Sequence, residues 1–319
     1  MIDQEFELAT MTGTPGGGQP SQAQDAVRPH TIATHARFPV RTIERTYRDR
    51  LGEGLMWSPT QNSVYWTDIL DRRLHRLDLA TDEVRSWDMP DTIGWVLERR
   101  GGGLIAGLGR RIVSLALDPV RTTVLFDPEP DRDGNRMNDA KADLDGRLWA
   151  GTMPFNCDRP TGALYRCDPE TGAERVDDGY VITNGPAFSP DGAWLYHTDS
   201  GLGTVYRFAC DGGVLGPREP FIQFEPDWGK PDGMTCDSDG GLWIAHWGAG
   251  CVSRFTPEGT RELAIDLPAS QITNCLFAGP NLDRLFVTSA HDGLDDPEAG
   301  KLFEIATGRR GLGACRYAG

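Results

Sequence analysis

Apolar and polar residues alternate along this chain in short bursts, and the bursts recur at a regular spacing. In GRLWAGTM, Leu148 and Ala150 oppose Trp149 and Gly151, which is the alternation of a half-buried strand. DG, PDG, NG and GG pairs separate such runs and mark turns. No segment sustains helical periodicity over three turns, so the pattern predicts many short strands and no long helix.

Three segments align directly: NDAKADLDGRLWAGTM from Asn138, NGPAFSPDGAWLYHTDS from Asn184 and DGMTCDSDGGLWIAHWG from Asp232. Each places a polar residue seven positions before an Asp-Gly turn at Asp145, Asp191 or Asp239. An apolar strand follows, then a second turn and a further strand such as GALYRCD, GTVYRFA or GCVSRFT. Weaker copies begin at Glu53, Gly94 and Asn274, so successive copies start 41, 44, 46, 48 and 42 residues apart. That is the period of a four-stranded propeller blade. Six copies predict an all-β, six-bladed β-propeller over residues 39–319, preceded by a flexible extension over residues 1–38 that is rich in Gly, Pro, Ser and Gln.

The innermost strand of each blade lines the central channel, so one column of the repeat gathers six positions around one axis. The column seven residues before the turn reads Glu53, Gly94, Asn138, Asn184, Asp232 and Asn274. Five of the six carry side-chain oxygens, two of those are carboxylates, and none is basic. Taken singly, each Asn or Asp reads as a strand-end or Asx-turn former. Taken together, acids crowded in a low-dielectric channel need a counter-ion, so the column predicts a central metal site on the propeller axis.

Composition narrows the partners. The net charge of −15 argues against nucleic acid and anionic membrane, which select clustered Lys and Arg. No apolar run is long enough to span a bilayer, and the first residues lack the basic and apolar regions of a secretory signal. Seven scattered cysteines without C-x-x-C spacing indicate reduced thiols and a cytoplasmic location. Several other patterns fail on inspection. DPEPDRDGN has Arg132 where a calcium loop needs Gly, and there is no G-x-S-x-G, H-E-x-x-H or G-x-G-x-x-G in a suitable context. His246 is expected to be packed, Trp57, Trp149, Trp243 and Trp247 to fill blade cores, and Trp95 to wall the pocket.

The set LGEGLMW, RMNDAKADLDGRLWAGTM, GALYRCD, TNGPAFSPDG and KPDGMTCDSDGGLW, in this order from Leu51 onward, resembles the SMP-30/gluconolactonase family of regucalcin-like sugar lactonases. The resemblance implies a propeller holding one divalent cation through Glu53, Asn184 and Asp232, all three in the column above. Such an oxygen set suits Ca²⁺ foremost, then Mg²⁺ or Mn²⁺, and an open oxygen site also accepts Zn²⁺ or Fe²⁺. The resemblance further implies that Arg136 and Asn138 hold substrate hydroxyls. Asp158 stands where relatives carry a Glu in the loop before GALY. The expected reaction is hydrolysis of a small-molecule sugar lactone, with Asp232 as catalytic base and Asn274 lining the site. Two rivals are an ester or organophosphate hydrolase using the same metal, and a non-catalytic calcium-binding propeller.

Overall fold

The computed structural model describes residues 34–36 and 38–319. Six sheets form a six-bladed propeller, each built on consecutive antiparallel strands, with one strand from the start of the chain added to each of blades 5 and 6. The inner strands are Gly52–Ser58, Ile93–Glu98, Asn135–Ala142, Thr183–Phe188, Lys230–Cys236 and Ile272–Ala278, in blades 1 to 6. Each begins beside the repeat column, as the sequence spacing predicts. The one helical element among the described residues is a short 3-10 turn, Pro226–Trp228.

Blade 6 closes the ring. Its three C-terminal strands pair in sequence order, and its outer strand is Val40–Thr42 from the start of the propeller, antiparallel to Leu302–Ile305. Closure of this kind ties the two ends of the domain together and leaves each blade only a short outer edge. Most of the expected flexible extension lies outside the described residues. Thr34–Ala36 within it forms a strand parallel to the outer strand of blade 5, Arg261–Asp266.

The tryptophans that follow the turns have a packing role. Trp66, Trp149 and Trp243 occupy the second strands of blades 1, 3 and 5 and are fully buried. Trp149 meets Phe188 of blade 4 edge-on, with ring centroids 6.1 Å apart, and Trp243 meets Phe277 of blade 6 at 5.6 Å. An edge-to-face pair contributes about 0.5–1.5 kcal/mol beyond its buried area, so these tryptophans bind one blade to the next.

The aspartate two positions before the turn aspartate secures two of those tryptophans. Asp143 accepts hydrogen bonds from the Asp145 and Arg147 amides and from Trp149 Nε1 at 3.0 Å. Asp237 does the same for Asp239, Gly241 and Trp243 Nε1, and also pairs with buried Arg254 through Nε at 2.5 Å. The second aspartate of each pair, Asp145 or Asp239, stays at the surface and turns the chain, with Gly146 and Gly240 at positive φ.

Candidate functional site

Every inner strand breaks its pairing register once, and each break lies beside the column residue. The shifts fall at Glu53/Met56, Ile93/Trp95, Met137/Ala140, Asn184/Ala187, Pro231/Met234 and Ile272/Asn274. A bulge re-aims side chains that simple alternation would send to opposite faces. Gly94 supplies the gap in the column. A Cβ there would stand 2.8 Å from the carbonyl oxygens of both Met137 and Asn138, so only glycine fits.

Caps at the ends of the second strands hold the adjoining backbone. Asp68 accepts from the amides of Arg50 and Leu51, just before Glu53. Asp199 accepts from Val181 and Ile182, just before Asn184. These two aspartates end the WTD and HTD segments, and their repetition was the available sequence signal for the role.

Glu53, Asn138, Asn184 and Asp232 converge on one cavity of about 200 Å³ at this end of the channel. All four are buried. Glu53 Oε2 accepts from Asn274 Nδ2 at 2.9 Å and from the Gly54 amide at 3.1 Å. Asn184 Nδ2 donates to Ser200 Oγ at 2.8 Å, which turns Asn184 Oδ1 toward Asn138 Nδ2 at 3.0 Å. Asn138 Oδ1 accepts from Arg136 Nη1 at 2.6 Å. Asn274 is therefore a partner of Glu53 from the neighbouring blade and does not itself line the cavity.

The acids are held far from their ordinary state. Burial, then the charge of Asp139, pushes Glu53 up to about 8. Burial and the nearby Glu53 and Asp139 carboxylates carry Asp232 well above the usual carboxylate range. Asp139 is itself raised by burial, and its Oδ2 has no partner. Asp139 is the residue that sequence alternation missed. It follows Asn138 directly, and the bulge between Met137 and Ala140 is what lets both act near the axis.

This set fits a cation. Glu53 and Asp232 are buried against each other without an ion-pair partner, and the unpartnered Asp139 Oδ2 and Asn274 Oδ1 lie in the same acidic neighbourhood. Among the described residues no three His, Cys, Asp or Glu side chains form a metal cluster by themselves, so a metal here depends on the Asn184 amide oxygen as well. All the available donors are oxygens, the preference of hard divalent ions.

The remaining expectations divide. Arg136 lines the cavity and pairs with no carboxylate, while Asp133 is taken by Arg110. Asp158 is exposed, pairs with Arg159 at 3.4 Å and is not on the cavity wall; its neighbour Cys157 is. Trp95 is buried in the blade core, and Trp247 walls the cavity in its place, together with Leu51, Met153 and Ile182. His246 is packed as expected, against Phe224 and Phe255, with Nδ1 bonded to the Trp228 carbonyl at 2.7 Å. A larger cavity, about 480 Å³, opens toward the other ends of the inner strands. Its walls include Leu55, Trp57, Leu276 and Phe277, and none of the column residues reaches it.

The sequence matches the family described as SMP-30/Gluconolactonase/LRE-like region over residues 51–291. The chain belongs to this family. Among its curated relatives, pentonolactonase XacC of Haloferax volcanii is 38% identical over 79% of this chain and 85% of its own length. Human regucalcin is 34% identical over 85% of this chain and 95% of its own length. Among solved structures, a regucalcin of Agrobacterium tumefaciens, described as a calcium-binding protein, superposes with a TM-score of 0.86 at 29% identity. The match covers 90% of this chain and 99% of that one, so the two share the whole propeller fold. No helix among the described residues is long and apolar enough to cross a membrane.

Proposed function

We propose that this protein hydrolyses a small-molecule sugar lactone to its aldonic acid with the help of one divalent cation. The observation that carries this reading is the convergence of Glu53, Asn184 and Asp232, from three separate blades, on one small cavity where neither acid is in an ion pair. The lactonase name of a relative at 38% identity supports the same reaction.

Glu53, Asn184 and Asp232 would hold the cation, which when bound supplies Lewis acidity at the lactone carbonyl. Asp232 acts as general base. It takes a proton from the water that attacks the carbonyl carbon. The bond from that carbon to the ring oxygen then breaks, and the proton held on Asp232 passes to the departing oxygen. Atoms balance with one water consumed, and no covalent enzyme intermediate is needed.

Arg136 and Asn138 orient the sugar. Their mutual hydrogen bond at 2.6 Å fixes both before substrate arrives, which reduces the entropy lost on binding. Leu51, Met153, Ile182 and Trp247 give the cavity apolar walls against the sugar carbons. Asp158 has no part in this assignment, since it faces solvent beside Arg159. Ca²⁺, Mg²⁺ or Mn²⁺ suits the donors best, with Zn²⁺ or Fe²⁺ also accommodated. The seven unpaired cysteines support a reducing, cytoplasmic setting.

The test is lactone hydrolysis by protein with restored metal, compared with Asp232→Ala. The variant should lose at least about a hundredfold in kcat with the substrate range unchanged. Wild-type kcat in the variant would remove Asp232 from the chemistry.

A further inference from the structure

The mouth of the channel opposite the acids is built differently from the candidate active site. All six inner strands reach it, through Leu55, Leu97, Ala142, Phe188, Cys236 and Phe277, and together they enclose the cavity of about 480 Å³. Its walls are chiefly aliphatic and aromatic. A concave, mostly apolar space of roughly 300–1,000 Å³ with a few polar groups is the usual form of a small-molecule site.

A strap from the C-terminal end of the chain supplies part of the outer wall. On one side the Gly311 amide donates to the Leu282 carbonyl of blade 6 at 2.7 Å, and the Arg310 carbonyl accepts from the Ser238 amide at 2.8 Å. On the other side Tyr317 bridges to blade 2, its amide donating to the Glu98 carbonyl at 2.9 Å and its carbonyl accepting from the Arg100 amide at 2.7 Å. Between these anchors the strap passes along the cavity from Leu312 to Cys315, and among the described residues no backbone hydrogen bond ties that span to a blade. A span fixed at both ends and untied between them can part from the mouth without unfolding a blade, which gives a ligand a way in.

Two charged side chains stand on the wall. Asp143 is already engaged, by Arg147 and by Trp149 Nε1, each at 3.0 Å. Lys141, in the inner strand of blade 3, is half-buried and reaches to the Leu55 carbonyl of blade 1 with a long bond of 3.4 Å. Asp139, earlier on the same strand, offsets its charge, but only at longer range than an ion pair. One long bond leaves the ammonium with donors to spare, and a carboxylate would take them up as charge-assisted hydrogen bonds. The surrounding walls reward an apolar body attached to that carboxylate. We propose that this mouth of the channel is a second ligand site, which takes a monocarboxylate with an apolar body, its carboxylate on Lys141 and its body against the inner-strand ends beneath the strap.

The site stands apart from the lactonase reading, since none of the column residues reaches this cavity. The test is calorimetric titration of the full chain with decanoate, 1-decanol and decylammonium. One decanoate should bind per chain, at least about tenfold tighter than either of the others. Lys141→Gln should bring decanoate down to the affinity of 1-decanol and leave 1-decanol itself unchanged. Ala314→Trp alters an exposed position on the strap and puts an indole into the mouth, so it should weaken both ligands about tenfold or more. Removing divalent metal with a chelator should leave decanoate binding as it was, which separates this site from a carboxylate held by the axial cation. Three results would each overturn the proposal: equal affinities for the three ligands in the wild type, a decanoate margin that survives Lys141→Gln, or decanoate binding that Ala314→Trp leaves intact. The first and third comparisons stand even if Lys141→Gln does not fold.

Discussion

Replacing Gly233 by alanine probes how closely the blades must approach for the site to form. Gly233 follows Asp232 in an Asp-Gly pair, yet it is no turn: it lies within the inner strand of blade 5 against the inner strand of blade 6. A Cβ there would stand 2.4 Å from both Cγ and Nδ2 of Asn274 and 2.9 Å from its Cα. Because backbone is among the atoms met, rotating the Asn274 side chain cannot relieve the clash. Either the two blades separate, or the Asn274 amide leaves Glu53. Overpacking costs about 1–3 kcal/mol, and leaving a buried hydrogen-bonding group without its partner costs a similar amount, so a loss of about 1–3 kcal/mol is expected. For a domain of this size that corresponds to a fall of roughly 2–5 °C in Tm. Displacing the Glu53 carboxylate should also lower kcat/KM by at least about tenfold. The control is Gly240→Ala in the second Asp-Gly pair, where φ is +82 and the nearest atom to a new Cβ is Pro257 Cγ at 3.4 Å. That variant should pay only left-handed strain of about 1–2 kcal/mol and keep its activity. Equal activity in the two variants, measured beside their melting curves, would refute the close-approach argument.

Arg254→Met should leave Asp237 buried without its cation, and urea unfolding should show a loss of about 3–5 kcal/mol. Arg309→Ala, which breaks an exposed pair with Asp239, should cost less than about 1 kcal/mol. His197 and His246 are lowered to about 3, each chiefly by burial, so both stay neutral in the folded protein well below the unfolded histidine range. Their contribution is fully present above about pH 6.5 and is lost as pH falls toward 3, because the unfolded chain takes up the protons first. At pH 4.5 each histidine should have removed about 2–3 kcal/mol. His246→Gln should make the stability-against-pH curve shallower by that amount between pH 7 and 4.5, and parallel curves would contradict it.

How far the sequence reached can be seen residue by residue. The regular spacing of the column residue, the turn and the apolar strand after it was enough for six blades, because each blade must present the same buried face to its neighbour. The column was legible for the same reason: Glu53, Asn138, Asn184 and Asp232 meet on one cavity, and Gly94 is a gap that its neighbours' carbonyls enforce. Asp139 was not legible, since strict alternation assigns it away from Asn138 and only the bulge overrides that. The closing strand Val40–Thr42 lacks a repeat of its own, so nothing local marks it as part of blade 6. Loop residues were the least legible. Counting back from Gly162 selects Asp158, but the loop turns its neighbour Cys157, at φ 56, to the cavity instead. Trp95 and Trp247 exchange their expected roles because being next to the column in sequence does not decide which side of the strand faces the channel.

The central claim is that the axial acids and amides hold one catalytic divalent ion. Its most direct test is to strip the protein with a chelator and titrate a divalent metal back while following both bound metal and aldonolactone hydrolysis. The account predicts hydrolysis that disappears on stripping and returns in proportion to one ion per chain, with neither binding nor rate restored in Glu53→Gln. An undiminished rate after complete stripping, or a fully loaded protein that does not accelerate hydrolysis, would contradict it.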